Sequence, residues 1–421
     1  MTTLKSTYFP SLANVQTAAN KLRGIVQQTP LVENLNLSNN FGANILLKRE
    51  DLQIIRSYKI RGAYNKISSL PASLTGNGIV CASAGNHAQG VAYACEKLRI
   101  RGTIVMPAPT PRQKIEQVKM FGKSNVEIVL SGDTFDDAKQ TAISMGISKK
   151  IPFIHPFDDE KVIEGQATVG LEILDQWQGE IDYLFAPVGG GGLSAGVGAV
   201  FKALSPQTRI IGVEPQGAPS MSLSLENNCN TTLEEIDKFV DGAAVKRVGE
   251  LNFRICQDVL HDMLTIGEGR VCETILDLYN SEAIVVEPAG ALAIAALSEY
   301  ADQIKGKTVA CIVSGSNNDI TRTEEIKERA LLYGGLKHYF IVRFPQRAGA
   351  LKEFVAEVLG PDDDITHFEY TKKNSREKGT AVVGIELKSK ADFPVLLKKM
   401  KERNFYGDYI NDSPDLLNLL I

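Results

Sequence analysis

The chain has 421 residues, of which 43% are hydrophobic and 23% charged, and its formal net charge is -4. That length allows roughly two to three domains with sizeable cores. The mildly acidic balance gives no reason to expect nucleic acid or an anionic membrane as a partner, and no apolar run approaches the length needed to span a bilayer. The cysteines show no C-x-x-C spacing. We interpret all of them as buried free thiols in a reducing cytoplasm.

Most of the first 320 residues alternate between predicted strands and helices. The strands are short and apolar, at residues 44–47, 79–82, 102–106, 126–130, 183–188, 209–213 and 308–313. The helices lie at residues 12–27, from about 59, and at 87–98, 111–121, 134–145 and 164–176. Apolar strands without polar alternation indicate parallel sheets covered on both faces, so the expected fold class is α/β.

The pattern changes near residue 320, where a charged helix begins. Beyond it, predicted strands and helices follow in the order of a split β-α-β-β-α-β unit of the ferredoxin-like kind, at residues 339–344, 350–359, 365–371, 380–387, 392–402 and near 409. We therefore expect an α/β region at residues 1–320, a linker helix at 321–336 and a second domain at 337–421. Residues 376–379 are expected to form a solvated turn.

Lys59 is the first candidate for chemistry. Ser57 is the expected N-cap of the helix, which places Lys59 in the first turn. The positive end of the helix, the neighbouring Arg56 and Arg61, and burial would each lower the pKa of the Lys59 ammonium. A lysine becomes a Schiff-base amine near neutral pH in this way. The alternative is an ordinary exposed lysine, since most lysines are solvated surface charges.

Four consecutive glycines follow the strand at residues 183–188, namely Gly189, Gly190, Gly191 and Gly192. With the helix that begins near Leu193, their backbone N–H groups can cradle a phosphate. A tight turn alone would need only one or two glycines. The same stretch also fits the G-x-G-x-x-A dinucleotide fingerprint, and Glu214 follows at the expected spacing. A nicotinamide-dependent dehydrogenase therefore stays open as an alternative.

Two more turns of small or polar residues follow predicted strands. The first consists of Ser83, Ala84, Gly85 and Asn86, whose backbone N–H groups suit a carboxylate, with the Asn86 side chain as a further donor. For His87 we favour packing against its own loop over catalysis, because no partner carboxylate is identifiable nearby. The second turn begins at Ser314, which alone would be an N-cap by default. Ligands of open α/β sheets bind at this carboxyl edge of the strands.

A reactive lysine, a phosphate cradle, a carboxylate-binding turn and a hydroxyl group are together the parts that a pyridoxal phosphate enzyme needs. The stretches at residues 57–63, 83–90, 189–193 and 314–315 closely resemble those of threonine dehydratases (threonine ammonia-lyases), and the resemblance covers essentially the whole chain in order. It implies fold type II of the pyridoxal phosphate enzymes. In that fold a smaller α/β domain, here about residues 50–155, packs against a larger one with pyridoxal 5'-phosphate between them.

The resemblance also implies roles for individual residues. Lys59 would hold the cofactor covalently and act as the catalytic base, Asn86 would bind the 3-hydroxyl and Ser314 the pyridine nitrogen. Tyr58 stands where the family usually has a phenylalanine. The phosphate would be bound by Gly189, Gly190, Gly191, Gly192 and Leu193, and the substrate carboxylate by Ser83, Ala84, Gly85 and Asn86. The implied reaction converts L-threonine to 2-oxobutanoate and ammonia, as the first step of isoleucine biosynthesis, and L-serine is a second candidate substrate.

Two positions differ from related enzymes of this fold. Serine racemases carry a serine where this chain has Ala84, and a methyl group cannot exchange a proton on the opposite face of the substrate, so we expect little racemisation. Those relatives also bind a divalent cation with two acids. Here Ser220 stands where the second acid after Glu214 is expected, so we expect no metal site.

The C-terminal unit resembles the ACT-like regulatory domain of biosynthetic threonine dehydratases, in a short form with a single such domain. Its residues 345–351 match the loop that lines the effector site in the family. The resemblance implies isoleucine or valine as effector and a homotetramer. Two alternatives stay open: a domain kept for oligomer contacts, and a ligand-sensing module whose catalytic part is spent. Intact Lys59 argues against the second.

Overall fold

The computed structural model describes residues 8–370, 378–413 and 416 of the chain. The chain forms two compact units, Met1–Ile320 and Thr321–Ile421. Of the expected solvated turn, residues 376 and 377 lie outside the described residues. Lys378 and Gly379 begin a strand (Lys378–Glu386), so the prediction of a turn is wrong for them. Within the described ranges, no helix combines the length and apolar character that crossing a membrane requires.

The first unit contains two sheets. Its strands are, in chain order, β1 (Leu31–Glu33), β2 (Asn44–Arg49), β3 (Ile79–Ala82), β4 (Gly102–Met106), β5 (Val126–Leu130), β6 (Tyr183–Pro187), β7 (Arg209–Pro215), β8 (Asp262–Ile266) and β9 (Thr308–Val313). The larger sheet has the order β1-β2-β9-β6-β7-β8 and is parallel except for the pair of β1 and β2. The smaller sheet, β3-β4-β5, is parallel throughout. The predicted α/β fold is therefore confirmed.

The α-helices of this unit surround both sheets. They are α1 (Leu12–Leu22), α2 (Leu35–Phe41), α3 (Lys59–Ser68), α4 (Ala72–Thr75), α5 (Asn86–Leu98), α6 (Arg112–Gly122), α7 (Phe135–Lys149), α8 (Glu160–Gln176), α9 (Gly192–Leu204), α10 (Ser220–Glu226), α11 (Glu250–Val259), α12 (Glu268–Glu282) and α13 (Pro288–Ala295). Helix α1 ends at Leu22 rather than at residue 27, because Gly24 has a φ of +75° and leaves the helical region.

Helix α8 packs closely against both α3 and α9. At the crossing with α3, a Cβ on Gly165 would lie 2.4 Å from the Arg61 carbonyl oxygen. At the crossing with α9, a Cβ on Gly196 would lie 2.7 Å from the Ile163 carbonyl oxygen. Glycine thus permits both close approaches. Because α3 begins with Lys59 and α9 follows the glycine turn, these two crossings place both predicted site segments against α8.

The second unit has an antiparallel sheet with helices. Its elements are α14 (Thr323–Tyr333), β10 (Lys337–Pro345), α15 (Ala350–Glu353), β11 (Asp364–Tyr370), β12 (Lys378–Glu386), α16 (Phe393–Glu402) and β13 (Tyr406–Tyr409), and the sheet has the order β11-β12-β10-β13. Helix α15 continues as a π-helical turn at Phe354–Val358. The core of the second unit includes the buried residues Phe340, Phe354 and Phe405. The predicted β-α-β-β-α-β order is confirmed.

The cysteines are free, but they are not all buried. Cys81, Cys95, Cys256, Cys272 and Cys311 are buried, whereas Cys229 is exposed. The prediction of buried thiols is therefore wrong for Cys229, which follows the short helix α10 in an irregular segment between α10 and α11.

Candidate active site

Three turns that follow parallel strands supply the candidate site. Residues 83–86 follow β3, residues 189–192 follow β6, and Ser314 follows β9. A cleft brings much of this predicted set together and is lined by Tyr58, Lys59, Asn86, Pro187, Gly189, Gly242, Ala243, Glu287, Ala289 and Ser314. Gly190, Gly191, Gly192 and Leu193 continue the turn that Gly189 begins, and Ser83, Ala84 and Gly85 directly precede Asn86.

Lys59 is the first residue of α3, and its environment lowers its basicity. The N-cap is Tyr58, so the prediction of Ser57 as N-cap is wrong by one position; the Ser57 Oγ only accepts a long hydrogen bond from the Lys59 N–H at 3.4 Å. Burial lowers the pKa of Lys59 to about 8, and the nearby Glu287 carboxylate acts in the opposite direction. The predicted contribution of the neighbouring arginines is not found, since burial and Glu287 account for the shift. Arg61 instead pairs with the carboxylates of buried Glu50 and half-buried Glu172.

The start of α3 is tied to the turn after β9. Ser57 and Gly315 form an isolated antiparallel bridge, and the Tyr58 N–H donates to the Ser314 carbonyl oxygen at 3.2 Å. The Lys59 ammonium lies 5.2 Å from the centroid of the Tyr58 ring. The lysine and the serine hydroxyl therefore belong to one hydrogen-bonded piece of backbone, although 255 positions separate them in the sequence.

The glycine turn has the geometry of an anion cradle. The Gly190 carbonyl accepts hydrogen bonds from the Gly249 N–H at 3.1 Å and from Asn252 Nδ2 at 2.6 Å, so this oxygen is turned into the protein. The backbone N–H groups of residues 189–193 have no acceptor within the described part of the chain. They stand at the N-terminus of α9, where an anion is stabilised.

Side chains larger than hydrogen would not fit this turn. Gly191 has a φ of +86°. A Cβ on Gly190 would lie 2.3 Å from the Phe157 ring, and one on Gly189 would lie 2.9 Å from the Ala243 Cα. Free backbone donors, a helix N-terminus without a side-chain cap and a weakly basic lysine amine in the same part of the fold fit a phosphorylated aldehyde such as pyridoxal phosphate.

The turn at residues 83–86 is half-buried and ends at the first residue of α5. The Gly85 N–H donates to Ser83 Oγ at 3.2 Å, whereas the N–H groups of Ala84, Asn86 and His87 have no acceptor among the described residues. His87 Nε2 lies 3.0 Å from the Ile154 carbonyl oxygen, and burial lowers the pKa of the imidazole to about 3. His87 is thus a packed, neutral residue, although its partner is not its own loop.

Ser314 is buried, with its hydroxyl donating to the Ala289 carbonyl oxygen at 3.3 Å. A hydroxyl carries no charge, so in contrast to a carboxylate it does not favour a protonated ring nitrogen in a ligand beside it. A site with a carboxylate at this position would stabilise a full carbanion on the ligand better than the Ser314 hydroxyl does.

Glu214 does not serve a dinucleotide. Its carboxylate is fully buried and accepts hydrogen bonds from the Met221 N–H at 2.6 Å and the Ser222 N–H at 2.9 Å, at the start of α10. The dehydrogenase alternative requires an acidic side chain that is free to bind the ribose of a dinucleotide, and Glu214 is not free to do so. That alternative is therefore wrong. The expected lack of a divalent-cation site near Ser220 stays a prediction.

Two residues of the site were missed from the sequence. Glu287 accepts a hydrogen bond from Asn86 Nδ2 at 2.7 Å, and Asn317 Nδ2 donates to Asn86 Oδ1 at 2.7 Å. Burial raises the pKa of Glu287 to about 7, with Asp241 contributing. An acidic residue directly before Pro288 indicates only a helix N-cap, so no local signal pointed to the cleft.

The fold and the cleft together define a pyridoxal-phosphate dependent enzyme of fold type II. Residues 22–315 match the family model described as "Pyridoxal-phosphate dependent enzyme", and residues 328–420 match "C-terminal regulatory domain of Threonine dehydratase". The chain belongs to the biosynthetic L-threonine dehydratases.

Similar proteins cover nearly the whole chain. The biosynthetic L-threonine dehydratase IlvA of Halalkalibacterium halodurans is 57% identical, over 95% of this chain and 96% of its own, and that of Bacillus subtilis is 53% identical, over 99% of each. Among solved structures, the processed form of threonine deaminase isoform 2 from Solanum lycopersicum is 39% identical with a TM-score of 0.73, covering 78% of this chain and 91% of its own.

Proposed function

We propose that this chain dehydrates L-threonine and that hydrolysis of the dehydrated product then releases ammonia, so that the net change is the loss of ammonia. The observation that carries the proposal is the buried Lys59 amine, with a pKa of about 8, in one cleft with Asn86, Ser314 and the first residue of a glycine turn whose N–H groups are free. An amine of this basicity is partly neutral near pH 8 and can serve as a nucleophile and then as a base.

Each part of the cleft has a distinct task in this proposal. Residues 189–193 hold the cofactor phosphate through backbone N–H groups, Asn86 donates to the cofactor's 3-oxygen, and Ser314 contacts its ring nitrogen. The cofactor, when bound, withdraws electrons from the substrate Cα. Tyr58 flanks Lys59 with its ring. The free N–H groups of the turn at residues 83–86 receive the substrate carboxylate, with Ser83, Ala84, Gly85 and Asn86 as its members.

Lys59 carries the proton transfer. Its neutral amine takes the proton from the threonine Cα. The Cβ–O bond then breaks, and the hydroxyl group takes up one proton and leaves as water. Hydrolysis of the resulting enamine then returns one water and releases ammonia. Threonine thus becomes 2-oxobutanoate and ammonia, with no net oxidation. The uncharged Ser314 favours this elimination over transamination, because it does not help to store a full carbanion.

The activity is tested with purified enzyme and L-threonine, with 2-oxobutanoate measured through its hydrazone. Activity, a visible absorbance band and its fixation on Lys59 by borohydride are expected together, and Lys59→Ala should abolish all three. Lys66→Ala, at an ion-paired lysine of the same helix, is the matched control. A native enzyme without the visible band would contradict the proposal. L-serine in the same assay ranks the two substrates.

The second unit is proposed to bind an effector, isoleucine or valine, at the loop of residues 345–351. In support, Gly349 has a φ of +85°, and the Gln346 Nε2 is buried without a partner in the described part of the chain. A buried donor without an acceptor is costly, which fits a carboxylate-bearing ligand. Isoleucine should raise the threonine concentration at half-saturation, and Gln346→Ala should weaken that response without changing the activity in its absence. No response to either amino acid would favour a domain kept for oligomer contacts.

The same proposal includes a cytoplasmic homotetramer. Free cysteines, five of them buried, are typical of a reducing compartment. Light scattering of the full chain at several concentrations would test the tetramer, and a stable dimer at all of them would contradict it.

A further inference from the structure

Glu287 and Asn317 hold the side-chain amide of Asn86 from two sides. Asn86 Nδ2 donates to Glu287 Oε1, and Asn86 Oδ1 accepts from Asn317 Nδ2, both at 2.7 Å. The three residues come from distant parts of the first unit: the start of α5, the residue before α13, and the turn after β9. Such long-range contacts at a cleft require an explanation beyond local folding.

A backbone group fixes the orientation of these amides. Asn317 Nδ2 also donates to the Ile55 carbonyl oxygen at 2.8 Å, and a carbonyl can only accept, so the Asn317 nitrogen must face this way. The second hydrogen of that nitrogen is then directed at Asn86, which must present its oxygen. Asn86 therefore turns its nitrogen toward Glu287. One N–H goes to the carboxylate, and the other is left for a ligand in the cleft.

The Glu287 side chain is positioned by contacts with other segments and not by a hydrogen bond to its own helix. It occupies the N-cap position of α13, yet its side chain makes no cap hydrogen bond. Its backbone N–H donates to the Gly315 carbonyl oxygen at 3.2 Å. A Cβ on Gly315 would lie 2.5 Å from Glu287 Oε1, so glycine is needed there for the carboxylate to reach Asn86. A buried carboxylate is costly unless it is hydrogen-bonded, and Asn86 supplies that bond.

We infer that Glu287 and Asn317 are positioning residues that keep an N–H of Asn86, and not its oxygen, directed at the 3-oxygen of the bound cofactor. The inference rests on the proposed function, in which Asn86 binds that oxygen. With either partner removed, the amide is free to rotate, and its oxygen would then oppose a negatively charged 3-oxygen. Cofactor binding should weaken, and the balance between the visible and near-ultraviolet forms of the bound cofactor should change.

The test compares cofactor binding and absorbance in a set of variants. Cofactor-free enzyme is titrated with pyridoxal phosphate, which gives the dissociation constant and the spectrum without reference to turnover. Glu287→Ala and Asn317→Ala should each raise the dissociation constant about tenfold, the scale typical of outer-shell partners. Glu287→Gln should stay close to the native enzyme, because its amide oxygen still accepts from Asn86. Glu214→Ala, which removes another buried carboxylate away from the cleft, should leave the spectrum unchanged.

The Asn86→Ala variant distinguishes the cofactor-binding role of Asn86 from the positioning role of Glu287 and Asn317. If Asn86→Ala binds the cofactor as the native enzyme does, the proposed role of Asn86 is wrong. If Asn86→Ala is impaired while Glu287→Ala and Asn317→Ala are native-like in affinity and spectrum, only the positioning inference is overturned. Adding Glu287→Ala to Asn86→Ala should cause no further loss, since the carboxylate acts through the amide. Additive losses, or a Glu287→Gln variant as impaired as Glu287→Ala, would also overturn it.

Discussion

The Arg61 guanidinium donates to both carboxylate oxygens of Glu50, from Nε to Oε2 at 2.8 Å and from Nη2 to Oε1 at 2.7 Å. Both side chains are fully buried. Arg61 also pairs with Glu172 at 2.7 Å, and the buried Lys48 pairs with the same carboxylate at 2.7 Å. Because Arg61 follows Lys59 by two positions, this charge network holds the helix that starts with the lysine against α8.

Arg61→Met should strongly destabilise the first unit. It leaves the Glu50 carboxylate buried without its cation, and breaking a buried pair in this way typically costs about 3–5 kcal/mol. The measurement is the free energy of unfolding from a urea titration. Lys119→Met is the control, because Lys119 pairs with Glu116 where both side chains are 55% exposed, and it should change little. Equal shifts in the two variants would contradict the importance of the network.

The rate of cofactor uptake should depend on pH through Lys59. Burial lowers the pKa of its ammonium to about 8, and only the neutral amine attacks an aldehyde. Below that pH the neutral fraction rises roughly tenfold per pH unit and above it levels off. Stopped-flow absorbance of cofactor-free enzyme mixed with pyridoxal phosphate measures this rate. Glu287→Gln should move the midpoint to lower pH, because the carboxylate raises the pKa of Lys59. A rate still climbing beyond pH 10 would indicate an ordinary lysine.

Local patterns in the sequence pointed to several cleft residues that stand at element boundaries. Lys59, the glycines after β6 and Ser314 could be selected because each stands at an element boundary with a residue type that its chemistry needs. Strands β3, β4 and β6 were predicted with bounds close to those found, because fully apolar runs bounded by turn residues are distinctive.

The rest depended on contacts between distant residues. Glu287 and Asn317 meet Asn86 across 201 and 231 positions, and neither carries a local signal of that contact. The same reason explains the wrong expectation for Arg61. Its nearness to Lys59 in sequence suggested a lowered pKa for the lysine, but the Arg61 guanidinium pairs with the Glu50 and Glu172 carboxylates. Glu172 was recognisable as a partner only once α3 and α8 had been packed together, and Glu50, 11 positions before Arg61, carries no local signal of the pair.

Gly190→Ala should impair cofactor binding. The added Cβ would lie 2.3 Å from the Phe157 ring, so the turn or the ring must shift, and overpacking of this kind typically costs 1–3 kcal/mol. Because the N–H groups of this turn are the proposed phosphate donors, we expect the dissociation constant of pyridoxal phosphate to rise by about ten- to a hundredfold. Gly76→Ala is the control, since its Cβ would be 3.5 Å from the Ala72 carbonyl oxygen. Native cofactor affinity in Gly190→Ala would refute the cradle.

The methyl group of Ala84 should keep the enzyme from racemising its substrate. Lys59 is the proposed base on one face of the substrate, and Ala84, in the half-buried turn before α5, offers no exchangeable proton on the other. In deuterium oxide, residual L-serine should therefore yield almost no D-serine by chiral chromatography. Ala84→Ser introduces a hydroxyl at this position and should raise D-serine formation, whereas Ala84→Gly, which has no hydroxyl, should not. Fast formation of D-serine by the native enzyme would show that another group acts as the second base.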